Sequence, residues 1–337
     1  GYIDDAVIRQ MGELGLLGMV VPEEWGGSFV DYVAYSLAVE EVAAGCCATS
    51  TLMSVHNSVG CAPVLNYGTE EQKQRWLPRL CSGELVGAIA MSEPSTGSDL
   101  QNIKTRADKH GNGYKVNGSK IFISNGQIAN FFMLVAKTDT SQGSKGVSLF
   151  GVETDGLEGF KRGRKLDKLG LKSQDTSELF FEDMPVSGDD LIGLEPGQGF
   201  YQLMRQLPWE RLIVALLAVS ICELAIQLTL DYVRERKAFG QRIMDFQNTR
   251  FKLAELKTKL EVTRAFVDKC LEEQVAGTLT AVKASMAKYW ASDIQCEVVD
   301  ECLQLHGGYG YMEEYPICRA YRDARITKIF AGTNEIM

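Results

Sequence analysis

The sequence has few histidines, no paired cysteines and no excess of positive charge. Its 337 residues include 3 His and 9 Cys, and no cysteines form a CxxC pair or a metal-like cluster with histidine. A histidine-rich metal site is therefore excluded, and reduced cysteines acting as small hydrophobic residues are favoured. The net charge is -9, with Lys and Arg scattered among the acids, which argues against a nucleic-acid-binding surface. We predict no metal site and no nucleic-acid partner.

Long apolar runs are also missing. We find no run of about 18 apolar residues and no opening signal peptide, so we predict no membrane span. The composition, 45% hydrophobic and 23% charged, is typical of a globular protein. Both ends look cut, because helical periodicity begins at Asp4 without a lead-in and the last six residues resemble only the cap and first turn of a helix. We therefore expect further chain after Met337.

The hydrophobic pattern changes twice along the chain. Residues up to about Gly83 show helical periodicity, and from there to about Ile192 short alternating runs are separated by Gly, Asn, Asp and Ser. Helical periodicity then returns in three long segments: Glu210 to Arg236, Phe246 to Glu272 and Leu279 to Leu305. The pattern predicts a helical domain (residues 1–85), an antiparallel β-barrel or sandwich (86–193) and a helical bundle (194–337). No βαβ alternation occurs, so a doubly wound nucleotide-binding fold is not expected.

Four short motifs carry groups suited to ligand binding, although each can also be purely structural. Residues 91–99 (MSEPSTGSD) offer hydroxyl and backbone donors to a ligand, and the alternative is that they form an ordinary surface loop. Residues 122–126 (FISNG) end a strand in a turn, which can also be purely structural. Residues 236–240 (RKAFG), followed by Gln247, are typical of a helix end. A helix end explains the cation Lys237 and the terminating Gly240, but it does not explain why Phe239 and Gln247 are present. Residues 304–311 (QLHGGYGY) follow a helix and not a strand, so they are not a dinucleotide fingerprint, and a glycine-rich helix stop remains open.

Together these motifs resemble the acyl-CoA dehydrogenase family over essentially the whole chain. Residues 91–99, 122–124, 236–240, 304–308 and 332–335 match the family's motifs in order and approximate spacing. The resemblance implies a mainly α fold with a β domain, in which an N-terminal helical domain and a middle antiparallel β-barrel precede a C-terminal four-helix bundle. It also implies an acyl-CoA substrate, electron-transferring flavoprotein as acceptor, a homotetramer, and a place in the bacterial cytoplasm or mitochondrial matrix.

The resemblance further implies FAD, and it assigns the residues that would bind it. Those expected to line the flavin ring and ribityl chain are Ile89, Ala90, Met91, Ser92, Gly97, Ser98, Phe122, Ile123 and Ser124. Those expected to hold the pyrophosphate and adenosine parts, partly across a subunit interface, are Arg236, Phe239, Gln247, Gln304, Leu305, His306, Gly307 and Gly308. Thr333, Asn334 and Glu335 are expected at the cofactor as well.

One departure from the family pattern decides where the catalytic base is sought. Most members carry a glutamate immediately before the Gly-Thr near the C-terminus, where this chain has Ala331. The chain is similar here to the long-chain and isovaleryl branches, which carry the base at the start of the first long C-terminal helix; Glu210 occupies that position. The resemblance implies that Glu210 abstracts the α-proton while the β-hydride passes to flavin N5, giving a trans-2-enoyl-CoA. It also implies that the backbone N–H of Ala331 binds the thioester oxygen.

The same residues admit alternative roles. Glu210 could be an acid in the first turn of a helix after Pro208, stabilised by the helix dipole. An acyl-CoA oxidase that uses oxygen, or a catalytically inactive family member that acts as a binding protein, would also fit the motifs. Chain-length and branching preference cannot be read from the sequence. Candidate acyl-CoA contacts are Ser98, Tyr201, Pro208, Trp209, Arg211 and Gly332.

Overall fold

A computed structural model describes residues 2–337. The chain divides into two compact units. The first comprises residues 2–35, 49–167 and 172–207, and the second comprises residues 36–48, 168–171 and 208–337. Each unit is described separately below.

Short helices open the chain. They are α1 (Asp5–Glu13), α2 (Tyr32–Gly45), α3 (Cys47–Val55), a π-helical turn (His56–Cys61), α4 (Ala62–Tyr67) and α5 (Glu70–Ser82). A reciprocal capping box starts α5, where the Thr69 hydroxyl accepts from the Gln72 N–H at 3.2 Å and the Gln72 side chain accepts from the Thr69 N–H at 3.0 Å. Gly83 ends the same helix at φ 80°, a conformation that glycine adopts without a steric penalty.

The buried imidazole of His56 ties the π-helical turn to the sheet. Its Nδ1 accepts the N–H of Gly87 at 2.9 Å, so Nε2 carries the hydrogen and donates to the Leu80 carbonyl at 3.0 Å. Burial lowers the pKa of His56 to about 4. A Cβ at Gly87 would lie 2.9 Å from the Cα of Gly60, so only glycine permits this close backbone approach. The ring is therefore a neutral structural bridge.

The middle of the chain forms one seven-stranded sheet. Its strands are β1 (Gly87–Ala90), β2 (Arg106–His110), β3 (Gly113–Ser124), β4 (Phe131–Lys137), β5 (Val147–Glu153), β6 (Phe160–Lys165) and β7 (Thr176–Val186). The order is β1-β4-β2-β3-β7-β6, with β5 paired to β4. All seven residues of β4 are buried, and Phe132, Phe150 and Leu179 belong to the core of this sheet.

The sheet differs from the predicted antiparallel arrangement at two places, one of which is a single parallel pairing of Arg106 in β2 with Lys137 in β4. Strands β1 and β4 pair in parallel, with Gly87 opposite Phe131 and Ala90 opposite Leu134. The β2–β3 pair lies between them in the sequence, so no tight turn imposes an antiparallel pairing on β1 and β4. The remaining extended pairings are antiparallel.

Three long helices dominate the last part of the chain. They are α6 (Gly199–Glu235), α7 (Gln247–Val275) and α8 (Ala281–His306), followed by the short α9 (Pro316–Ala324); a two-stranded ribbon of β8 (Lys237–Ala238) and β9 (Gln241–Arg242) joins α6 to α7. Helix α2 also contributes to the second unit, where the Ser220 hydroxyl donates to the Glu40 carbonyl at 2.7 Å and Arg264 pairs with the Glu40 carboxylate at 2.6 Å.

By length and composition alone, α6 is apolar enough to cross a membrane. However, 78% of its most apolar 18-residue window is buried inside the protein. Packing against the rest of the protein therefore accounts for this apolarity, as it does for core helices in general.

Candidate active site

A buried ion pair holds the loop that follows β1. The ammonium of Lys120, 1% exposed, donates to the Glu93 carboxylate and to the Met91 carbonyl, each at 2.9 Å. Glu93 also accepts the N–H groups of Lys104 at 2.6 Å and Thr105 at 2.9 Å. Burial alone would raise the pKa of Glu93, but Lys120 and these N–H donors outweigh it and lower the pKa. The loop is therefore anchored from its buried side.

The outer side of the same loop is open. Gly97 and Ser98 are exposed, and the N–H groups of these two residues donate to no acceptor among residues 2–337. Phe122 near the end of β3 has a positive φ of 60°, and its ring is 66% exposed. Free donors and an exposed aromatic ring suit a flat heteroaromatic ligand with a polar chain, and FAD is such a ligand. These residues of the first unit fit the predicted cofactor.

The remaining predicted flavin-lining residues differ in accessibility. Ile123 and Ala90 are buried in the sheet core, so their side chains are not accessible to a ligand. Partly accessible side chains are those of Ile89, Met91, Ser92 and Ser124.

A second group of predicted cofactor residues meets at one end of the second unit. The guanidinium of Arg236 lies over the ring of Tyr309, 5.4 Å from its centroid. Tyr232, one turn before Arg236, stacks on His306 at 4.4 Å and donates to the His306 carbonyl at 3.1 Å. The structure therefore brings Arg236 together with the glycine-rich segment after α8. In this segment Gln304, Gly307 and Gly308 are exposed, Leu305 is half-buried and His306 is buried.

Phe239 stands at the tip of the β8–β9 ribbon and is 97% exposed. Its φ is 54°, and its ring meets that of Phe246 edge-on at 6.3 Å, just before Gln247 begins α7. An aromatic side chain held almost entirely in solvent packs against little of its own chain. This exposure fits the sequence prediction that Phe239 and Gln247 serve a ligand, which stays a prediction.

Glu210 lies inside α6 and not at its start. The helix begins at Gly199, about three turns earlier, whereas the helix dipole acts mainly on the first turn. The dipole at the start of a helix therefore does not explain why an acidic residue occupies position 210. The side chain is half-buried, and burial raises the pKa of Glu210 to about 7, against a smaller lowering by Arg211. A carboxyl group that changes charge near neutral pH is suited to accept a proton.

Arg211 joins Glu210 to the C-terminal turn. Its guanidinium donates to the Ser285 hydroxyl at 2.9 Å, and its Nη2 lies 3.9 Å from where a Cβ of Gly332 would stand. Its Nε is buried and without a hydrogen-bond partner among residues 2–337. The structure thus places Arg211, the neighbour of the predicted base along α6, next to the 331–333 turn.

Other predicted substrate residues occupy several environments. Trp209 is buried and Pro208 is half-buried within α6, whereas Tyr201 is 51% exposed, with the Arg205 guanidinium 4.4 Å from its ring centroid. In the C-terminal segment Thr333 is half-buried and Glu335 exposed. Asn334 is buried, and its side chain is bonded to protein groups, so the predicted cofactor contact of this side chain is not supported by the structure.

Two lysines to which the sequence analysis assigns no role are buried at these sites. Lys120 supports the loop after β1, and Lys288 of α8, 0% exposed, donates to the Gly332 carbonyl at 2.6 Å and to Asn334 Oδ1 at 2.8 Å. The only sequence signal for Lys288 is its place on a stripe of small apolar residues with Ala284, Ala287 and Ala291, where a charge requires a partner.

Comparison with known proteins resolves which family this arrangement belongs to. The profiles of the acyl-CoA dehydrogenase N-terminal, middle and C-terminal domains match residues 1–84, 88–184 and 197–337. The mouse mitochondrial long-chain specific acyl-CoA dehydrogenase is 47% identical over 100% of this chain and 78% of its own length. The chain belongs to the acyl-CoA dehydrogenase family. The predicted family, the helical–β–helical fold class and the assignment as an acyl-CoA dehydrogenase enzyme are thereby confirmed.

Solved acyl-CoA dehydrogenases share the fold. The crystal structure of the Geobacillus kaustophilus acyl-CoA dehydrogenase has a TM-score of 0.96 at 47% identity, covering 100% of this chain and 88% of that one. A glutaryl-CoA dehydrogenase from Mycobacterium smegmatis in complex with FADH2 has a TM-score of 0.93 at 28% identity, covering 99% and 84%. FAD dependence is a property of the family, and the open donors at Gly97 and Ser98 agree with it.

Proposed function

We propose that this acyl-CoA dehydrogenase uses Glu210 as the base that removes the α-proton of a bound acyl-CoA, giving a trans-2-enoyl-CoA. The observation that carries the proposal is the half-buried carboxyl of Glu210, its pKa raised to about 7, next along α6 to Arg211, whose Nη2 lies 3.9 Å from where a Cβ of Gly332 would stand. Ala331 itself has no group that accepts a proton. FAD, when bound, would accept the hydride from the β-carbon.

Other residues would set the pKa of Glu210 and stabilise the thioester oxygen. Burial keeps the base weakly solvated, so its proton affinity approaches that of an activated α-carbon. The backbone N–H of Ala331 would donate to the thioester oxygen as negative charge develops there. Arg211, held by Ser285, would limit how far the pKa of Glu210 rises and contact the acyl-CoA.

In the first unit, the loop after β1 and Phe122 would contact the flavin. In the second unit, Arg236 and the 304–308 segment would bind the pyrophosphate and adenosine parts of FAD, partly across a subunit interface. We further propose that electron-transferring flavoprotein reoxidises it, that the assembly is a homotetramer, and that the protein works in the bacterial cytoplasm or mitochondrial matrix. The mitochondrial relative supports the second of these two compartments.

The test is the Glu210→Gln variant, which keeps the side chain's size but cannot accept a proton. It should retain bound FAD and lose turnover by roughly three orders of magnitude or more, as expected when a base acting as a unit with its site is removed. Glu223→Gln is the matched control, because it changes another acid of α6 that instead pairs with Arg264 at 3.1 Å. Near-normal turnover in Glu210→Gln would eliminate the assignment.

Anaerobic mixing with a series of acyl-CoA thioesters separates a dehydrogenase from an inactive binding protein and from an oxidase. Bleaching of the flavin by any of the thioesters rejects an inactive binding protein. Rapid peroxide formation in air, with no reduction of electron-transferring flavoprotein, would identify an oxidase instead. Graded chain length and branching in the same series would define the preferred acyl group.

A further inference from the structure

The turn at residues 331–333 adopts a conformation that its own residues disfavour. Ala331 has φ 54° and Gly332 has φ 99°, so two consecutive residues lie in the left-handed region. For a residue with a Cβ, such as Ala331, this region is sterically unfavourable. Such a turn persists only when surrounding groups hold it in place.

Lys288 of α8 supplies the main restraint on the turn. Its ammonium donates to the Gly332 carbonyl at 2.6 Å and to Asn334 Oδ1 at 2.8 Å. The Asn334 amide donates in turn to Ser292 Oγ at 2.9 Å, and the Asn334 N–H donates to the Lys328 carbonyl at 3.0 Å. A fully buried ammonium is tolerated only when its hydrogens are bonded, so the cation and the turn require each other.

The restraint has a geometric consequence for the opposite side of the turn. In a trans peptide the C=O and the following N–H point in opposite directions. With the Gly332 carbonyl fixed on Lys288, the N–H of Thr333 is directed away from α8. The N–H groups of Ala331, Gly332 and Thr333 donate to no acceptor among residues 2–337. Successive N–H groups beside left-handed residues form a concavity that binds anionic oxygen.

We propose that Lys288 is a positioning residue that holds the 331–333 turn so that its free N–H groups stabilise the thioester oxygen as the α-carbon takes on enolate character. The inference rests on the proposed function, in which that oxygen lies at Ala331. Lys288 acts through the turn and touches neither substrate nor cofactor. Asn334 and Ser292 complete the support.

The test uses acetoacetyl-CoA, whose α-carbon lies between two carbonyls and ionises readily. The ultraviolet absorbance of its enolate reports the pKa of the bound thioester directly, without turnover. In flavin-loaded protein, Lys288→Met should raise this pKa by about one pH unit relative to wild type and lower kcat about tenfold with little change in KM, because only interactions that strengthen with developing charge are lost. A change confined to protein yield would alter neither the pKa nor the kcat-to-KM pattern.

The control is Lys259→Met, which removes a lysine of α7 that pairs with Glu255 and Glu297 and should leave the bound pKa unchanged. If Lys288→Met does not fold, Ser292→Ala decides. It removes one partner of Asn334 and a bond to the Tyr289 carbonyl within α8, and it should move the pKa in the same direction by less. An unchanged pKa in a folded variant would overturn the role of Lys288 while leaving Glu210 as base. If the wild-type protein fails to ionise bound acetoacetyl-CoA, the proposed function itself is contradicted.

Discussion

The Glu210→Gln substitution should make the protein more stable at alkaline pH while it abolishes turnover. In the folded protein the pKa of Glu210 is raised from the ordinary carboxyl value of 4.5 to about 7, chiefly by burial. The folded state therefore binds this proton more tightly than the unfolded chain does. The resulting stability is complete below about pH 4.5 and is lost as the pH rises through 7.

The size of the effect follows from the two pKa values. Each pH unit between them corresponds to about 1.4 kcal/mol, so a fully buried group would cost the folded state about 3 kcal/mol at pH 8. Because Glu210 keeps partial contact with solvent, a value of about 2 kcal/mol is expected. A neutral glutamine of the same shape does not carry this cost. The free energy of unfolding of Glu210→Gln should thus exceed that of wild type by about 2 kcal/mol at pH 8 and by much less at pH 5.

Urea unfolding followed by circular dichroism, at both pH values, measures this difference. Glu223→Gln serves as the control, since its carboxylate pairs with Arg264 near the surface. The reasoning fails if Glu210→Gln is equally stable or less stable than wild type at pH 8. It also fails if the gain has the same size at both pH values, because a gain without pH dependence cannot come from ionisation of the replaced carboxyl.

Three further predictions concern charges that the structure places in the interior. Arg211→Met should move the acid limb of the kcat/KM profile to higher pH, because Arg211 lowers the pKa of Glu210; a profile with an unmoved midpoint would contradict this coupling. Lys120→Met should lower the free energy of unfolding, measured with urea, by about 3–5 kcal/mol, because it leaves Glu93 buried without its cation. A smaller loss in the double variant with Glu93→Gln would identify the ion pair as the cause. The pKa of His56 is near 4 in the folded protein, so the unfolded chain binds a proton at this histidine more readily. Acidification from pH 6.5 to 4 should therefore lower the free energy of unfolding of wild type by up to about 3 kcal/mol through His56. His56→Gln should lack this part of the pH dependence in the same assay.

Periodicity alone determined the order of helical, β and helical regions. The three long C-terminal segments are correctly predicted as helices because apolar residues recur in each at three- to five-residue steps, a spacing that repeats locally. The helix containing Glu210 nevertheless begins at Gly199, earlier than predicted, since Pro208 is accommodated inside α6. The motifs resembling the family directed attention to Glu210 and Ala331 without any coordinates.

The tertiary structure decided how distant residues combine. The parallel pairing of β1 with β4 joins segments separated by more than forty residues, and no local pattern encodes that choice. Lys288 and Lys120 read in the sequence as ordinary lysines, and only packing shows that each is buried against a particular carbonyl. The raised pKa of Glu210 likewise arises from atoms that the fold brings around it. Hydrophobic spacing is a property of neighbours along the chain, whereas burial, charge pairing and proton affinity depend on neighbours in space.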